Sequence, residues 1–311
     1  MQLIKQSNNS SATDIQDQIE YDVFYDECKE DGYWHCFLFV PKDKIEDIHQ
    51  LIIKARQYSS FNDTIHYKNI TAKTKKYAHN VQFVRILIDI LLYILQQQKV
   101  DACIHWGKHK IDKYENKIGA KLTIFRKIYD RVTRSENQKT IEATFRMGLK
   151  GALHYLFQDE HPIINNIYVD YSDENFNNQF RASNMWEKVK GELRDNISYT
   201  HQSEIKCISK NKYNLDSAES QFMQFVDVIV GAFRTCINKN VDFKARYYAT
   251  KSMLQLIKKE YTNKARMENS RYFKGYIFSE AYLEDDKWVF RPMKIKSEQE
   301  QIDIFQDDDL R

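Results

Sequence analysis

The chain has 311 residues, 42% apolar and 14% aromatic, which is enough for one large domain or two ordinary ones with a substantial core. Only 3 prolines and 8 glycines are present, which favours long helices over a sandwich of short strands, and we expect an α/β fold. The net charge of +3 is too small to indicate a nucleic-acid-binding protein by itself.

Cysteine usage and hydropathy favour a cytoplasmic protein. The five cysteines are odd in number and form no Cys-x-x-Cys pair, which predicts reduced core residues. Residues 1–18 are polar and lack the apolar stretch of a signal peptide, so we expect a disordered tail. The most apolar segment, 84–95, is too short to span a bilayer and carries Arg85 and Asp89, which predicts a core helix and no membrane association.

The first predicted element is a β-hairpin over residues 21–40, with a turn at 29–32. Its first strand ends on two adjacent acids, Asp26 and Glu27. Carboxylates at a strand end can ligate Mg²⁺ or Mn²⁺, and they can equally be solvated acids with no ligand. Asp22 points the same way as Asp26 and is a minor candidate, because side chains alternate between the two faces of a strand.

A helical segment at 45–55, a third strand at 64–68, a helix at 73–98 and a short strand at 100–106 are predicted next. Residues 108–139 contain ten Lys or Arg against four acids, with three aromatic residues interleaved. That composition is typical of a surface that binds phosphates and stacks bases, and also of a solvated helical face whose aromatics point into the core.

Ile163 to Asp170 is a second apolar run that stops on an acid. A polar helix at about 177–195 and a short strand at 205–208 are predicted after it. A capping-box pattern at 216–219 then begins a helix with one apolar face. Asp227 interrupts that apolar run, which is costly for a carboxylate unless it is paired with a cation, solvated in a cleft or bound to metal.

Beyond residue 239 we expect a basic helix over 242–268 and a hairpin formed by 272–278 and 287–294. The last residues, 297–311, form an acidic tail. A helical zinc pair of His105 and His109 is improbable, because Gly107 lies between them after a strand.

These residues together resemble the bacterial domain of unknown function 3800 family, whose members look like RNase H-like proteins. The resemblance covers about residues 21–235. It is carried by the strand running into Asp26-Glu27, the strand ending in Asp170, and the pattern Ser217-x-x-Ser220-x-x-x-Gln224-x-x-Asp227-x-x-x-Gly231. Two departures are Cys28, where the family commonly has Ser, and His66-Tyr67-Lys68, which contains no acid.

The resemblance implies an RNase H-like mixed sheet flanked by helices over 19–238, with a basic helical insertion at 108–160. The resemblance leaves the C-terminal region unexplained, where the residue pattern predicts a helix and β-hairpin extension over 239–296. The resemblance also implies that Asp26, Asp170 and Asp227 meet and bind one or two Mg²⁺ or Mn²⁺ ions.

In that site, Glu27 would be a fourth ligand or would orient the ligands from behind. His66 would ligate, shuttle protons or face a heteroduplex, and Lys68 would contact phosphate. The implied function is a metal-dependent nuclease acting on RNA or DNA, in a phage-defence or mobile-element system with a possible protein partner. The alternative is a non-catalytic nucleic-acid- or protein-binding module on the same fold.

Overall fold

The computed structural model describes residues 18–29, 32–71, 73–95, 118–128, 138–158, 160–170, 179–208, 215–238, 244–254, 256–257, 275–284 and 287–293. Most of the N-terminal tail, the strand predicted at 100–106, most of the basic 108–139 segment and the acidic tail lie outside these residues. Among the described residues, no helix combines the length and apolarity needed to cross a membrane.

The molecule is α/β, with one mixed sheet flanked by helices on both faces. Its eight strands are β1 Glu20–Cys28, β2 Tyr33–Pro41, β3 Lys121–Lys127, β4 Ile163–Asp170, β5 Ser198–Tyr199, β6 Ile205–Ile208, β7 Tyr276–Glu284 and β8 Lys287–Pro292. The strand order is β5-β4-β1-β2-β3-β7-β8, and β6 also pairs with β4.

Both parallel and antiparallel pairs occur in this sheet. β2 runs antiparallel to β1 on one side and to β3 on the other, and the β1–β2 pair confirms the predicted hairpin at 21–40. β4 runs parallel to β1, and β5 and β6 run parallel to β4. β7 is parallel to β3 and forms a hairpin with β8.

The helices are α1 Ile45–Ser59, α2 His79–Leu95, α3 Gln138–Leu156, α4 Gln179–Lys190, α5 Ala218–Asn238 and α6 Lys244–Thr250. Helices α1, α2, α5 and α6 share one apolar core with one face of the sheet. Helices α3 and α4 share a second core with the opposite face. The predicted core helix at 84–95 is confirmed, because α2 is buried along most of its length.

Two predicted elements differ from the structure. Residues 64–68 do not form a strand: Tyr67–Asn69 is a short 3-10 helix. The backbone N–H groups of Ile65 and Tyr67 donate to side chains of α5, so this segment finds its hydrogen bonds on a helix and not on a neighbouring strand.

The basic 108–160 segment is not a wholly helical insertion either. Residues 121–127 form β3, which lies inside the sheet between β2 and β7, and only 138–156 form a helix in the described part of the segment. Leu122 and Ile124 face one core while Phe125 faces the other side, which is the alternation of a strand covered on both faces. A C-terminal hairpin is present, but its first strand is Tyr276–Glu284 where 272–278 was predicted, and it extends this same sheet.

Candidate functional site

Asp26 and Asp170 lie at the ends of neighbouring parallel strands. In the register of β1 and β4, Phe24 pairs with Tyr168, and each carboxylate follows two residues later. Residues two apart on a strand share a face, so both carboxylates lie on the face that α5 covers. Asp26 is 7% exposed and Asp170 is half-buried.

A stack of three aromatic rings aligns the elements that carry the acids. Phe24 stacks on Tyr168 at a centroid distance of 4.9 Å and on Phe222 of α5 at 4.5 Å. Because this aromatic layer ties β1, β4 and α5 together just before Asp26 and Asp170, the relative heights of the two strand ends and the helix are set by packing.

Asp227 is on α5 and holds the segment that contains His66. The backbone N–H of Tyr67 donates to Asp227 Oδ2 (3.3 Å), and His66 Nδ1 lies 3.3 Å from the same oxygen. The side chains of His66 and Asp227 are 36% and 20% exposed, so this pair is open to solvent on one side. Lys68 is exposed in the adjoining 3-10 helix.

Gln224, Asp227 and Gly231 line one face of α5, and residues 65–67 pack against that face. Gln224 Oε1 accepts the N–H of Ile65 (3.0 Å), and Thr235 Oγ1 accepts the hydroxyl of Tyr67 (2.9 Å). A Cβ at Gly231 would lie within 2.7 Å of the Tyr67 Cβ and still closer to its ring, so only glycine fits beneath this ring.

Arg56 on α1 is a contributor that the sequence analysis did not identify. It is 5% exposed, and it donates to Gln221 and Gln224 (both 2.9 Å) and to the carbonyl of Asp63 (2.7 Å). Burial lowers the pKa of Arg56 to about 10, which leaves the guanidinium charged near neutral pH. Arg56 therefore ties α1, α5 and the 61–65 segment together behind His66. Its contacts with α5 join residues at least 165 positions apart, so no local sequence pattern shows them.

The pKa of the Cys28 thiol is shifted by burial and by the charged side chains of the candidate site. This pKa is raised to about 11, mainly by burial; Arg234 opposes this rise, and the negative charges of Asp26, Asp227 and Glu27 contribute to it. Asp26 and Asp227 therefore act on one neighbourhood although they are 201 positions apart in the sequence.

Glu27 lies on the opposite face of β1 from Asp26. It accepts the hydroxyls of Tyr25 (2.7 Å) and Tyr33 (2.5 Å), and Lys29 Nζ is 3.3 Å from its Oε1. The Tyr25 hydroxyl also lies 2.9 Å from His35 Nδ1. Glu27 is thus the acceptor at the centre of a hydroxyl network on the α3 side of the sheet, and it does not face α5.

Asp22 is used one layer beneath the aromatic stack. It is 4% exposed and accepts the Asn165 side-chain amide (2.9 Å) and the Asn166 backbone N–H (3.1 Å). Burial raises the pKa of Asp22, and the two hydrogen bonds oppose that shift. These contacts join β1 to β4 where their register shifts, which is a structural task.

The donor set fits a hard divalent cation, because Asp26, Asp170 and Asp227 offer only carboxylate oxygens. Among the described residues, no group of three or more His, Cys, Asp or Glu side chains is close enough together to hold a metal ion. The structure brings Asp227 and His66 into contact, puts Asp26 and Asp227 within electrostatic reach of Cys28, and places Asp170 at the end of the strand next to β1.

No protein-family model matches this chain, and no curated protein matches it in sequence.

Proposed function

We propose that this protein is a metal-dependent nuclease with an RNase H-like carboxylate site that cleaves phosphodiester bonds of RNA or DNA. One observation carries the proposal: Asp26 lies two residues before the end of β1, Asp170 is the last residue of the parallel neighbour β4, and both share the sheet face covered by the helix that carries Asp227. The resemblance requires this arrangement of carboxylates from two strands and a helix. The local two-residue alternation of a single strand cannot bring three separate elements together.

Asp26, Asp170 and Asp227 would hold one or two Mg²⁺ or Mn²⁺ ions. When bound, the ions would neutralise the mutual repulsion of the carboxylates and supply Lewis acidity toward a phosphodiester. Glu27 would support β1 from the other face and would not reach the ions, because it is engaged by Tyr25 and Tyr33.

His66 would move a proton at the reacting phosphate. Asp227 Oδ2 lies 3.3 Å from its Nδ1, so the carboxylate fixes the orientation of the ring. The partial exposure of His66 leaves the imidazole accessible to a substrate. Lys68, two residues later and exposed, would contact a neighbouring phosphate as a point charge.

A cluster of aromatic and basic side chains near residues 66–70 supports a nucleic-acid substrate. Lys76 Nζ lies 5.4 Å from the Tyr77 ring centroid and 5.3 Å from that of Tyr248, and the Arg85 guanidinium lies 4.9 Å from the Tyr248 centroid. Tyr77 is 65% exposed, so one ring is available for stacking beside cations that can contact phosphates.

Helix α6 links this cluster to the candidate site. Arg246 donates to the carbonyl of Ile70 (2.6 Å), and its guanidinium lies 5.6 Å from the Tyr67 ring centroid. Tyr248 follows two residues later on the same helix. A strand bound on Tyr77 and Tyr248 would therefore reach the segment that Asp227 holds.

Cleavage of single-stranded, duplex and hybrid substrates with Mn²⁺ tests the proposal. We expect Asp26→Asn and Asp227→Asn to lower cleavage at least a hundredfold, because each removes a carboxylate charge at the site. Lys188→Gln, an exposed change on α4 at the other face of the sheet, is the matched control. Cleavage that survives both substitutions in folded protein refutes the assigned site.

The runner-up function is a non-catalytic module that binds nucleic acid or protein on the same fold. It is favoured by the contacts of Asp227, which already secure the backbone of Tyr67 and the ring of His66. This function predicts no cleavage of any substrate, together with binding that weakens steeply as salt rises. A cytoplasmic location and a role in phage defence or mobile elements, with a possible protein partner, remain predictions from cysteine usage and from the resemblance.

A further inference from the structure

We propose that the groove between α3 and the β7–β8 hairpin is a binding site for a small planar anion, of the size and chemistry of a mononucleotide. The groove is on the α3 side of the sheet, opposite the face that carries Asp26 and Asp227. The proposal concerns binding alone and does not depend on nuclease activity.

The groove encloses about 660 Å³, within the range of small-molecule sites. Its walls combine apolar, aromatic and hydroxyl-bearing residues from the four elements β3, α3, β7 and β8: Thr123, Phe125, Met147, Gly151, Ser279 and Phe290. Phe290 is 56% exposed, and its ring is nearly parallel to that of Phe125, at an angle of 27° and a centroid distance of 6.4 Å. An exposed aromatic face at a groove is a stacking surface for a planar ring.

Gly151 has no packing reason to be glycine. It lies inside α3, where glycine is less stable than alanine, and a Cβ built there meets no atom within 4 Å. Gly148, one turn earlier, differs, because its Cβ would lie 3.0 Å from Phe37 and 3.2 Å from Phe125. Gly148 is explained by close packing, whereas the missing side chain of Gly151 only keeps the groove open.

The rim of the groove is cationic. Arg146 and Lys150 on α3 share a single acid, Glu192, at 3.8 and 2.8 Å. Arg291 on β8 adds a third positive charge and pairs with Glu280 at 2.7 Å. Three cations therefore face two carboxylates, which leaves net positive charge for a bound anion.

His154 adds a polar group that lacks a partner. It follows Lys150 by one turn and lines the groove, and its Nε2 is buried without a hydrogen-bond partner in the described part of the chain. A buried ring nitrogen of this kind is costly unless something bonds to it, and a ligand oxygen would do so. Together the stacking face, the cations and this nitrogen suit a ring that carries a phosphate.

Isothermal titration with AMP, adenosine and inorganic phosphate, in metal-free buffer, tests the proposal. We expect AMP to bind at one site per chain, with adenosine and phosphate each at least tenfold weaker. Gly151→Leu fills the groove and should weaken AMP binding at least tenfold while raising the melting temperature. Gly151→Ala should also raise the melting temperature but retain binding, since it leaves most of the volume free.

Two further variants locate the site. Lys150→Gln should weaken AMP severalfold, and Lys54→Gln, an exposed change on α1 at the other face of the sheet, should leave it unchanged. Phosphate binding as tightly as AMP would show an anion site without ring recognition and would overturn the proposal. Absence of AMP binding, or full binding by Gly151→Leu, would overturn it equally.

Discussion

Gly231→Ala should destabilise the protein even though alanine is the better helix former. A Cβ at Gly231 would overlap the Tyr67 ring and come within 2.7 Å of the Tyr67 Cβ, closer than real Cβ contacts. Tyr67 is 2% exposed and cannot swing into solvent, so the 65–67 segment must move away from α5. That movement breaks the Tyr67 hydroxyl contact to Thr235 and strains the Tyr67 amide contact to Asp227.

The magnitude follows from competing effects. Overpacking a well-filled site costs about 1–3 kcal/mol, and a lost buried hydrogen bond costs about 1 kcal/mol more. Replacing a helix glycine by alanine returns about 1 kcal/mol. The net expectation is a loss of about 1–3 kcal/mol in the free energy of unfolding.

Urea denaturation followed by circular dichroism measures this loss. Gly151→Ala is the matched control, because its Cβ meets open space and should stabilise the protein by about 0.5–1 kcal/mol. The two glycine substitutions should therefore change stability in opposite directions. If Gly231→Ala were as stable as the wild type, the docking of Tyr67 against α5 would be incorrect.

Three other predictions test the separate faces of β1 and β2. Glu27→Gln should lower the free energy of unfolding by about 1–3 kcal/mol, since two tyrosine hydroxyls lose a charged acceptor. The same change should leave the Mn²⁺ affinity measured by calorimetry nearly unchanged, whereas Asp26→Asn should lower it. Equal losses of affinity in the two variants would contradict the opposite orientations of Glu27 and Asp26. Because the pKa of Cys28 is raised to about 11, only about one Cys28 in a thousand is a thiolate at pH 8. Asp26→Asn removes one of the charges that raise this pKa, so it should speed alkylation of Cys28, measured by mass spectrometry of the tryptic peptide. An unchanged rate would show that the Asp26 carboxylate does not act on the thiol. Burial, aided by Lys127, lowers the pKa of His35 from 6.5 to about 3, so between these pH values the unfolded chain binds a proton that the native protein does not bind. The free energy of unfolding should therefore fall as the pH is lowered from 6.5 toward 3, by up to about 1.4 kcal/mol per pH unit. His35→Phe should flatten that slope.

The helix pattern from Gln224 to Gly231 has a structural task whatever the reaction proves to be. Its members contact the backbone and ring of residues 65–67, and Asp227 also contacts the imidazole of His66. Asp227 therefore has two roles: it holds the backbone of Tyr67 against α5, and it contacts His66, the residue proposed to move a proton. Loss of Gln224 should impair folding more than it impairs a chemical step.

Several parts of the fold could be predicted from local patterns. Alternation over 21–40 indicated the first hairpin, the capping residues at 216–219 indicated the start of α5, and apolar runs indicated the strands that carry Asp26 and Asp170. The opposite orientations of Asp26 and Glu27 also follow from the two-residue period of a strand. Such features depend on neighbours in the chain, so the sequence by itself determines them.

The tertiary structure decided which elements meet. β3 escaped prediction because its short apolar stretch lies in a basic segment, and only pairing with β2 and β7 on either side makes it a strand. Residues 64–68 have strand-like composition, but the side chains of Gln224 and Asp227 take their backbone N–H groups. Partners 160 residues apart leave no periodic trace in a single sequence, and the positions of Arg56, Gly231 and the three acids depend on that long-range packing.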